Sequence, residues 1–183
     1  MNRNAKTETI VFGGGCFWCT EAVFQDLRGV VSVMPGFAGG AEEDPSYWDV
    51  AEGKTSHAEV VKVVYDPTEV RFTDLLTVFF ATHDPTSVNR QGADVGTQYR
   101  SAVFYTTEEQ RQTTKNFIED INNSSSAGKR VVTEVAPLEK FYEADESHTE
   151  YYRKNSGNAY CQIVINPKLE KVQREFANLL KTI

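Results

Sequence analysis

A short apolar stretch, a run of glycines and a cysteine follow one another near the start of the chain. Residues 9–12 have the composition of a strand, residues 13–15 are glycines, and Cys16 opens a segment that is typical of a helix. Glycines let a strand turn sharply and let other groups approach the backbone closely. A cysteine in the first helical turn lies near unpaired N–H groups and the positive end of the helix dipole, which favour the thiolate. This order therefore predicts a nucleophilic thiol at a strand-to-helix turn.

Length and composition predict one globular domain that spans residues 1–183. The chain is 40% hydrophobic and 25% charged, which is ordinary for a protein that buries its own core. The formal net charge of −7 and the pI near 5.0 argue against a nucleic-acid partner. No segment reaches the roughly 20 apolar residues of a membrane-spanning helix, and no apolar signal segment follows the first residues. We therefore expect a cytoplasmic monomer without a membrane partner.

The three cysteines, Cys16, Cys19 and Cys161, are too few for the disulfide framework of a secreted protein. Cys16 and Cys19 form a CxxC motif, which allows several interpretations. The two thiols could simply be buried, or they could be a thioredoxin-like dithiol. They could also bind zinc, with Cys161 or one of the three histidines completing the ligand set. Because the chain has no second CxxC and no pair of histidines at ligand spacing, the zinc interpretation is the weakest.

Strand and helix patterns alternate along the chain. Strands are predicted at residues 8–12, 30–34, 58–65, 101–105 and 131–135, and helices at residues 16–27, 73–82, 106–124 and 167–180. Polar segments are expected to form long functional loops at residues 35–40, 41–54 and 83–100. The order strand-helix-strand-strand-helix-strand predicts an α+β fold, a two-layer sandwich with a ferredoxin-like (split βαβ) core.

Glu59 and the aromatic pair between the cysteines are ambiguous in the sequence. Glu59 opens the strand at residues 58–65, so it is either a solvated end residue or a buried carboxyl. Burial would raise its pKa and make it a proton donor near neutral pH. Phe17 and Trp18 are core residues or the walls of a cleft, since two successive helical positions cannot easily both point inward.

Several motifs together resemble the peptide methionine sulfoxide reductase A family. They are Gly14-Gly15-Cys16-Phe17-Trp18 with Glu21, and residues 36–40, 55–59, 65–67, 83–86, 89–100 and 155–168 with Tyr160-Cys161. They occur in the family's order and spacing over nearly the whole chain. The resemblance implies reduction of the S epimer of methionine sulfoxide, free or in oxidised proteins. It also implies thioredoxin as the reductant and no metal or other cofactor.

The resemblance assigns the redox chemistry to a few residues. Cys16 is implied as the nucleophile, Glu59 as the acid, and Cys161 as the thiol that resolves oxidised Cys16. Cys19 is an alternative resolving thiol, although a sulfur three residues along the same helix is expected to need local unwinding for a disulfide. A thiol–disulfide oxidoreductase that uses Cys16 and Cys19 is the alternative enzyme, and a metal-binding or interaction module is the non-enzymatic one.

The resemblance also implies a substrate pocket. Tyr47 and Tyr99 are implied to hydrogen-bond the sulfoxide oxygen, with Asp94 binding nearby, and Phe17 and Trp18 to hold the substrate methyl group. The chain departs from the common family pattern at two positions outside this set. They are Phe37, where tyrosine is common, and Ser56, where glycine is common.

Overall fold

The computed structural model describes residues 6–125 and 128–182, which form a mixed α/β fold. The strands are β1 (Glu8–Gly14), β2 (Val30–Ala38), β3 (Ala58–Tyr65), β4 (Arg90–Gln91), β5 (Asp94–Val95), β6 (Ser101–Tyr105), β7 (Glu134–Pro137) and β8 (Phe141–Glu143). The helices are α1 (Phe17–Gln25), α2 (Tyr47–Ala51), α3 (Phe72–Ala81), α4 (Glu108–Ser124), α5 (Tyr151–Asn155) and α6 (Asn166–Glu175). A π-helical turn, Cys161–Ile165, runs directly into α6.

One mixed sheet has the strand order β7-β6-β1-β3-β2-β8. Its neighbours are antiparallel except for β6 and β7, which are parallel. Strands β4 and β5 pair separately as a short antiparallel ladder. In the register of the large sheet, Phe37 of β2 lies opposite Glu59 of β3. The sheet therefore presents Glu59 at the end of β3 that is nearer the glycine turn after β1.

Apolar side chains cover both faces of the sheet. On one face, the Phe12 ring lies 5.1 Å from the Phe24 ring of α1 and 4.6 Å from the Phe79 ring of α3, measured between centroids. Val11 points to the other face, into a smaller cluster that includes Val60. Because both faces are buried, β3 carries valines at successive positions instead of alternating apolar and polar residues.

The predicted strands at residues 58–65 and 101–105 have the observed bounds, but β2 is longer than predicted. Residues 35–38 were expected in a loop and instead extend β2, because β8 pairs with Gly36, Phe37 and Ala38. A Cβ atom on Gly36 would lie 2.3 Å from the Tyr142 carbonyl oxygen, so only glycine permits this approach. The tertiary contact therefore overrides the local proline and glycine signal.

Other boundaries also differ from the sequence prediction. The loops at residues 41–54 and 83–100 contain α2, β4, β5 and a 3-10 turn at Thr97–Tyr99. The strand expected at residues 131–135 lies at Glu134–Pro137, and the C-terminal helix ends at Glu175 instead of residue 180. Strand β8 and helix α5 were not predicted. Within the described part of the chain, every helix is too short or too polar to span a bilayer.

Candidate active site

The glycine turn after β1 sets the position of Cys16. Gly15 has a φ of +97°, and a Cβ atom there would lie 2.9 Å from the Gln91 side chain, so glycine is required. Cys16 has non-helical backbone angles (φ −55°, ψ 126°) and is the N-cap of α1. Its carbonyl oxygen accepts the Cys19 N–H at 3.1 Å. The nucleophile candidate therefore lies just before the helix. The sequence prediction, which placed it inside the first helical turn, was wrong by this one position.

The structure brings the three cysteines together, all as free thiols. Cys19 and Cys161 are buried in one cluster with Ile165, and the partly exposed Cys16 packs against that cluster. The side chains of Cys16 and Cys19 also share a hydrogen bond. Cys161 comes from the π-helical turn before α6. Because it is distant in sequence, its approach to the CxxC motif depends on the tertiary fold.

The Cys16 thiol is not activated in the way that the sequence argument expected. Burial, the hydrogen bond with Cys19 and the charge of Glu59 raise the pKa of Cys16 well above its ordinary value. The same hydrogen bond lowers the pKa of Cys19 to about 7, against an opposing effect of burial. The helix N-terminus favours the thiolate, but burial and the nearby Glu59 carboxyl act on the pKa of Cys16 in the opposite direction. Of the two thiols in the resting site, Cys19 is therefore the one that ionises more readily.

Glu59 is buried, which settles the ambiguity left by the sequence. Its side chain is 2% exposed, and its Oε2 accepts the Phe17 N–H at 3.1 Å. Burial raises the pKa of Glu59 to about 8, and the charge of Asp94 adds to the increase, whereas the Phe17 N–H opposes it. At neutral pH the carboxyl is therefore mostly protonated and can donate a proton beside Cys16.

Aromatic rings form one wall of the site. Phe17 is buried, and its ring centroid lies 6.2 Å from that of Tyr47. Trp18 is half-buried, stacks on Tyr151 with centroids 3.7 Å apart, and donates its Nε1–H to His148 Nδ1 at 3.2 Å. Phe17 is therefore a core residue, and the half-buried Trp18 borders a cleft. Each of the two interpretations of this pair applies to one residue.

Phenol hydroxyls remain protonated around the thiols. Burial and the charge of Glu59 raise the pKa of Tyr47 to about 12, and the same two causes raise the pKa of Tyr99. Tyr160, which sequence reasoning did not single out, donates its hydroxyl to Asp94 Oδ2 at 3.1 Å and lies 3.6 Å from Cys19 Sγ. Its position beside Cys161 in the matched motif was the available signal. Hydrogen-bond donors therefore lie close to the nucleophile candidate.

Glu21 anchors the segment that supports Trp18. Its side chain is fully buried, and its carboxylate accepts the N–H groups of Glu150 at 2.7 Å and Tyr151 at 3.3 Å. These bonds hold the start of α5, and with it His148 and Tyr151, against α1. The contacts of His148 and Tyr151 with Trp18 could not be predicted from the local sequence, because the segment that carries both residues is short and polar.

Metal-ligand clusters and surface cavities are two further marks of a functional site. Among residues 6–125 and 128–182, no group of three or more His, Cys, Asp or Glu side chains is placed to hold a metal ion. A cavity of about 540 Å³ lies away from the cysteines and is lined by residues that include Glu42, Glu134 and Lys140. None of its lining residues is a cysteine.

The fold and the site define a thiol-dependent oxidoreductase: three free thiols lie beside a protonated carboxyl and an aromatic wall. A family model described as "Peptide methionine sulfoxide reductase" matches residues 8–180. The chain therefore belongs to the peptide methionine sulfoxide reductase family. The family expected from the sequence motifs is confirmed, and with it the predicted activity, reduction of methionine sulfoxide.

Curated and solved relatives agree with this assignment. The chain is 50% identical over 177 residues to "Peptide methionine sulfoxide reductase MsrA" of Deinococcus radiodurans, covering 97% of this chain and 86% of the relative. The solved methionine sulfoxide reductase A of Corynebacterium diphtheriae is 38% identical, with a TM-score of 0.79 over 85% of this chain and 78% of that one. Mxr1 from Saccharomyces cerevisiae, solved in complex with Trx2, is 25% identical, with a TM-score of 0.55. The match covers 82% of this chain and 88% of that one.

Proposed function

We propose that this chain reduces the S epimer of methionine sulfoxide, free or in oxidised proteins, by attack of Cys16 on the substrate sulfur. One juxtaposition supports the proposal above all others. The residue after Cys16, Phe17, donates its N–H to the buried Glu59 carboxyl at 3.1 Å, and burial keeps that carboxyl mostly protonated at neutral pH, with a pKa of about 8. A nucleophile and a proton donor at one site are what sulfoxide reduction requires.

The roles of Glu59 and the phenols follow from the weakness of the leaving group. Sulfoxide oxygen departs poorly as an anion, so attack on sulfur needs a proton at that oxygen. Glu59 donates it, and the hydroxyls of Tyr47 and Tyr99 hydrogen-bond the oxygen as charge develops. The thiol proton of Cys16 passes to Glu59, the S–O bond of the substrate breaks, and the hydroxyl is transferred to the sulfur of Cys16. The products are methionine and a sulfenic acid on Cys16.

The aromatic wall and Asp94 position the substrate. Phe17 and Trp18 hold the methyl group, because an apolar wall favours a methyl over a solvated chain. Asp94 binds nearby and acts through the hydroxyl of Tyr160, which bonds to it at 3.1 Å. The methyl contact and the fixed oxygen donors together present only one sulfoxide epimer to Cys16.

Two thiols are candidates for resolving the sulfenic acid. Cys161 is the one implied by the family motif, and it belongs to the cluster against which Cys16 packs. Cys19 is favoured by a separate observation, its hydrogen bond to Cys16 together with its pKa of about 7. Cys16 is a non-helical N-cap, so the helix itself begins only after it. Either thiol forms a disulfide with Cys16 and releases water.

Single-turnover trapping is expected to separate the two resolving thiols. After one equivalent of sulfoxide, the Cys19→Ser variant should form a Cys16–Cys161 disulfide, and the Cys161→Ser variant should show whether Cys16–Cys19 forms as fast. Peptide mapping by mass spectrometry identifies each bond. If Cys161 resolves, its replacement slows disulfide formation at least about tenfold and lets sulfenic acid accumulate. An unchanged rate in Cys161→Ser would assign resolution to Cys19.

Thioredoxin restores the dithiol by thiol–disulfide exchange. The complex of Mxr1 with Trx2 supports this assignment, because that relative shares the fold of this chain. The alternative, a thiol–disulfide oxidoreductase that uses Cys16 and Cys19, has the hydrogen bond between these two thiols in its favour. It leaves Glu59, Tyr47 and Tyr99 without a role, and for that reason we place it second.

Separate S and R epimers provide the direct test of the proposed function. With thioredoxin, thioredoxin reductase and NADPH, the purified protein is expected to oxidise NADPH with N-acetyl-methionine S-sulfoxide and not with the R epimer. The reason is that the oxygen donors and the methyl wall lie on fixed sides of Cys16. The R epimer is the matched control, since it differs only in configuration. Equal turnover of both epimers would contradict the proposed pocket.

We further propose that the central strands form a ferredoxin-like (split βαβ) core within one domain spanning residues 1–183. The antiparallel order β6-β1-β3-β2 supports it, as does the family match from residue 8 to residue 180. We propose that the protein acts as a monomer, since the proposed site is complete within a single chain. We place it in the cytoplasm, where a reducing environment keeps three free thiols reduced.

A further inference from the structure

Trp48 is the largest apolar side chain left open to solvent in the described structure: it is 71% exposed. It lies on the short helix α2, whose Val50 is fully buried and fixes the helix to the core. An aromatic ring of this size in water exposes apolar area that contact with another molecule would bury. The ring is therefore available for contact with another molecule.

The position of Trp48 joins it to the substrate wall. Its ring packs edge-on against Tyr47, with centroids 5.3 Å apart and planes at 71°. Tyr47 in turn stacks with Phe17, which lines the proposed methyl pocket. Trp48 therefore continues the same aromatic surface from the pocket out to its rim.

The helix that carries Trp48 is fixed at both ends. At the start, the Ser46 hydroxyl oxygen accepts the Asp49 N–H at 3.1 Å and donates to the Asp49 carboxylate at 2.6 Å. At the end, Gln98 Nε2 donates to the Ala51 carbonyl at 2.9 Å. The ring is therefore presented by an ordered element, and its contact with a partner would cost little backbone ordering.

We infer that Trp48 contacts an apolar side chain next to the methionine sulfoxide of an oxidised polypeptide, and so makes this enzyme prefer sulfoxides with apolar neighbours. The inference rests on the proposed function and deepens it. Val95, which is 65% exposed, is a second exposed apolar side chain and belongs to the strand that carries Asp94. Oxidised protein segments that have lost their packing expose such apolar neighbours.

A polypeptide substrate fits this surface better than the reductant does. Trp48 adjoins the wall that would receive the substrate, through Tyr47 and Phe17. The thiols that a reductant must reach, Cys19 and Cys161, lie instead in the cluster with Ile165, under the start of α6. The surface around Trp48 therefore continues from the substrate side of the site.

Blocked tripeptides test the inference: the S-sulfoxide of methionine between two glycines, and the same peptide with leucine before or after it. For the unmodified protein, kcat/KM with at least one leucine peptide is expected to be about five- to tenfold higher than with the glycine peptide. In Trp48→Ala this ratio should fall to within about twofold of one, whereas Trp48→Phe should retain most of it. Val31→Ala is the matched control: Val31 is 62% exposed on β2, at the opposite end from Phe37, which pairs with Glu59.

Each other outcome overturns the inference in a recognisable way. A leucine preference that persists in Trp48→Ala, or that is absent from the unmodified protein, removes the specificity role. An equal loss with all peptides indicates that Trp48 only supports the pocket. A higher KM for thioredoxin in Trp48→Ala, with the leucine preference intact, assigns the surface to the reductant. Failure of the unmodified protein with every S-sulfoxide would instead contradict the proposed function itself.

Discussion

Replacing Cys16 by serine is expected to lower the rate of methionine sulfoxide reduction at least about 10⁴-fold, because a hydroxyl is a far weaker nucleophile toward sulfur than a thiol. Serine also cannot carry the oxygen as a sulfenic acid, so neither resolving thiol has an intermediate to attack. The measurement is the methionine formed in a single turnover with excess enzyme. This readout does not depend on thioredoxin, so it isolates the chemical step.

Cys19→Ser is the matched control for this variant. Serine at position 19 can still accept the hydrogen bond from Cys16, so its single-turnover rate is expected to stay within about tenfold of the unmodified protein. Circular dichroism of both variants checks that the buried cluster still folds. An equal loss in the two variants would favour the dithiol oxidoreductase, in which both sulfurs are indispensable.

Replacing Glu59 by glutamine is expected to slow the same step by about 10²-fold or more, the usual contribution of a positioned general acid. Glutamine has the same shape and its amide oxygen can still accept the Phe17 N–H, so substrate binding should change little. The sign of the pH dependence follows from the raised pKa. The protonated carboxyl is the active form, so the rate of the unmodified protein falls as pH rises through about 8. The variant should lack this decline.

The matched control for Glu59→Gln is Glu42→Gln. Glu42 is an exposed glutamate, and hydrogen bonds from Ser56 lower its pKa to about 2. Its carboxylate therefore stays ionised at every pH around 8 at which the rate is measured. Its replacement should leave both the rate and its decline near pH 8 as they are. A single-turnover rate in Glu59→Gln that equals that of the unmodified protein would remove Glu59 from the role of acid.

Local pattern predicted the parts of the fold that local forces determine. The bounds of β3 and β6 agree with the sequence because each strand is a compact apolar run with a clear stop. Strand β8 was missed because its three residues gain their order from pairing with β2. For the same reason, Pro35 and Gly36 indicated a loop where the tertiary contact makes a strand.

The composition of the site was predictable, but its electrostatics were not. The motifs named Cys16, Glu59 and Cys161, yet residue identity alone could not tell that Glu59 is buried, since a strand end is usually solvated. The raised pKa of Cys16 also escaped prediction, because burial and a neighbouring thiol outweigh the helix dipole. Tyr160 and His148 reach the site only through contacts between segments that are far apart in sequence.

The support of Trp18 has a consequence for how the site can change over time. The ring stacks on Tyr151 and meets Tyr160 edge-on, and Tyr160 directly precedes Cys161. One side of the methyl pocket is thus held by the segment that delivers the third thiol. In the proposed cycle, a movement of Cys161 toward oxidised Cys16 would therefore also shift Tyr160 against the Trp18 ring. Release of the repaired methionine and formation of the disulfide are then coupled.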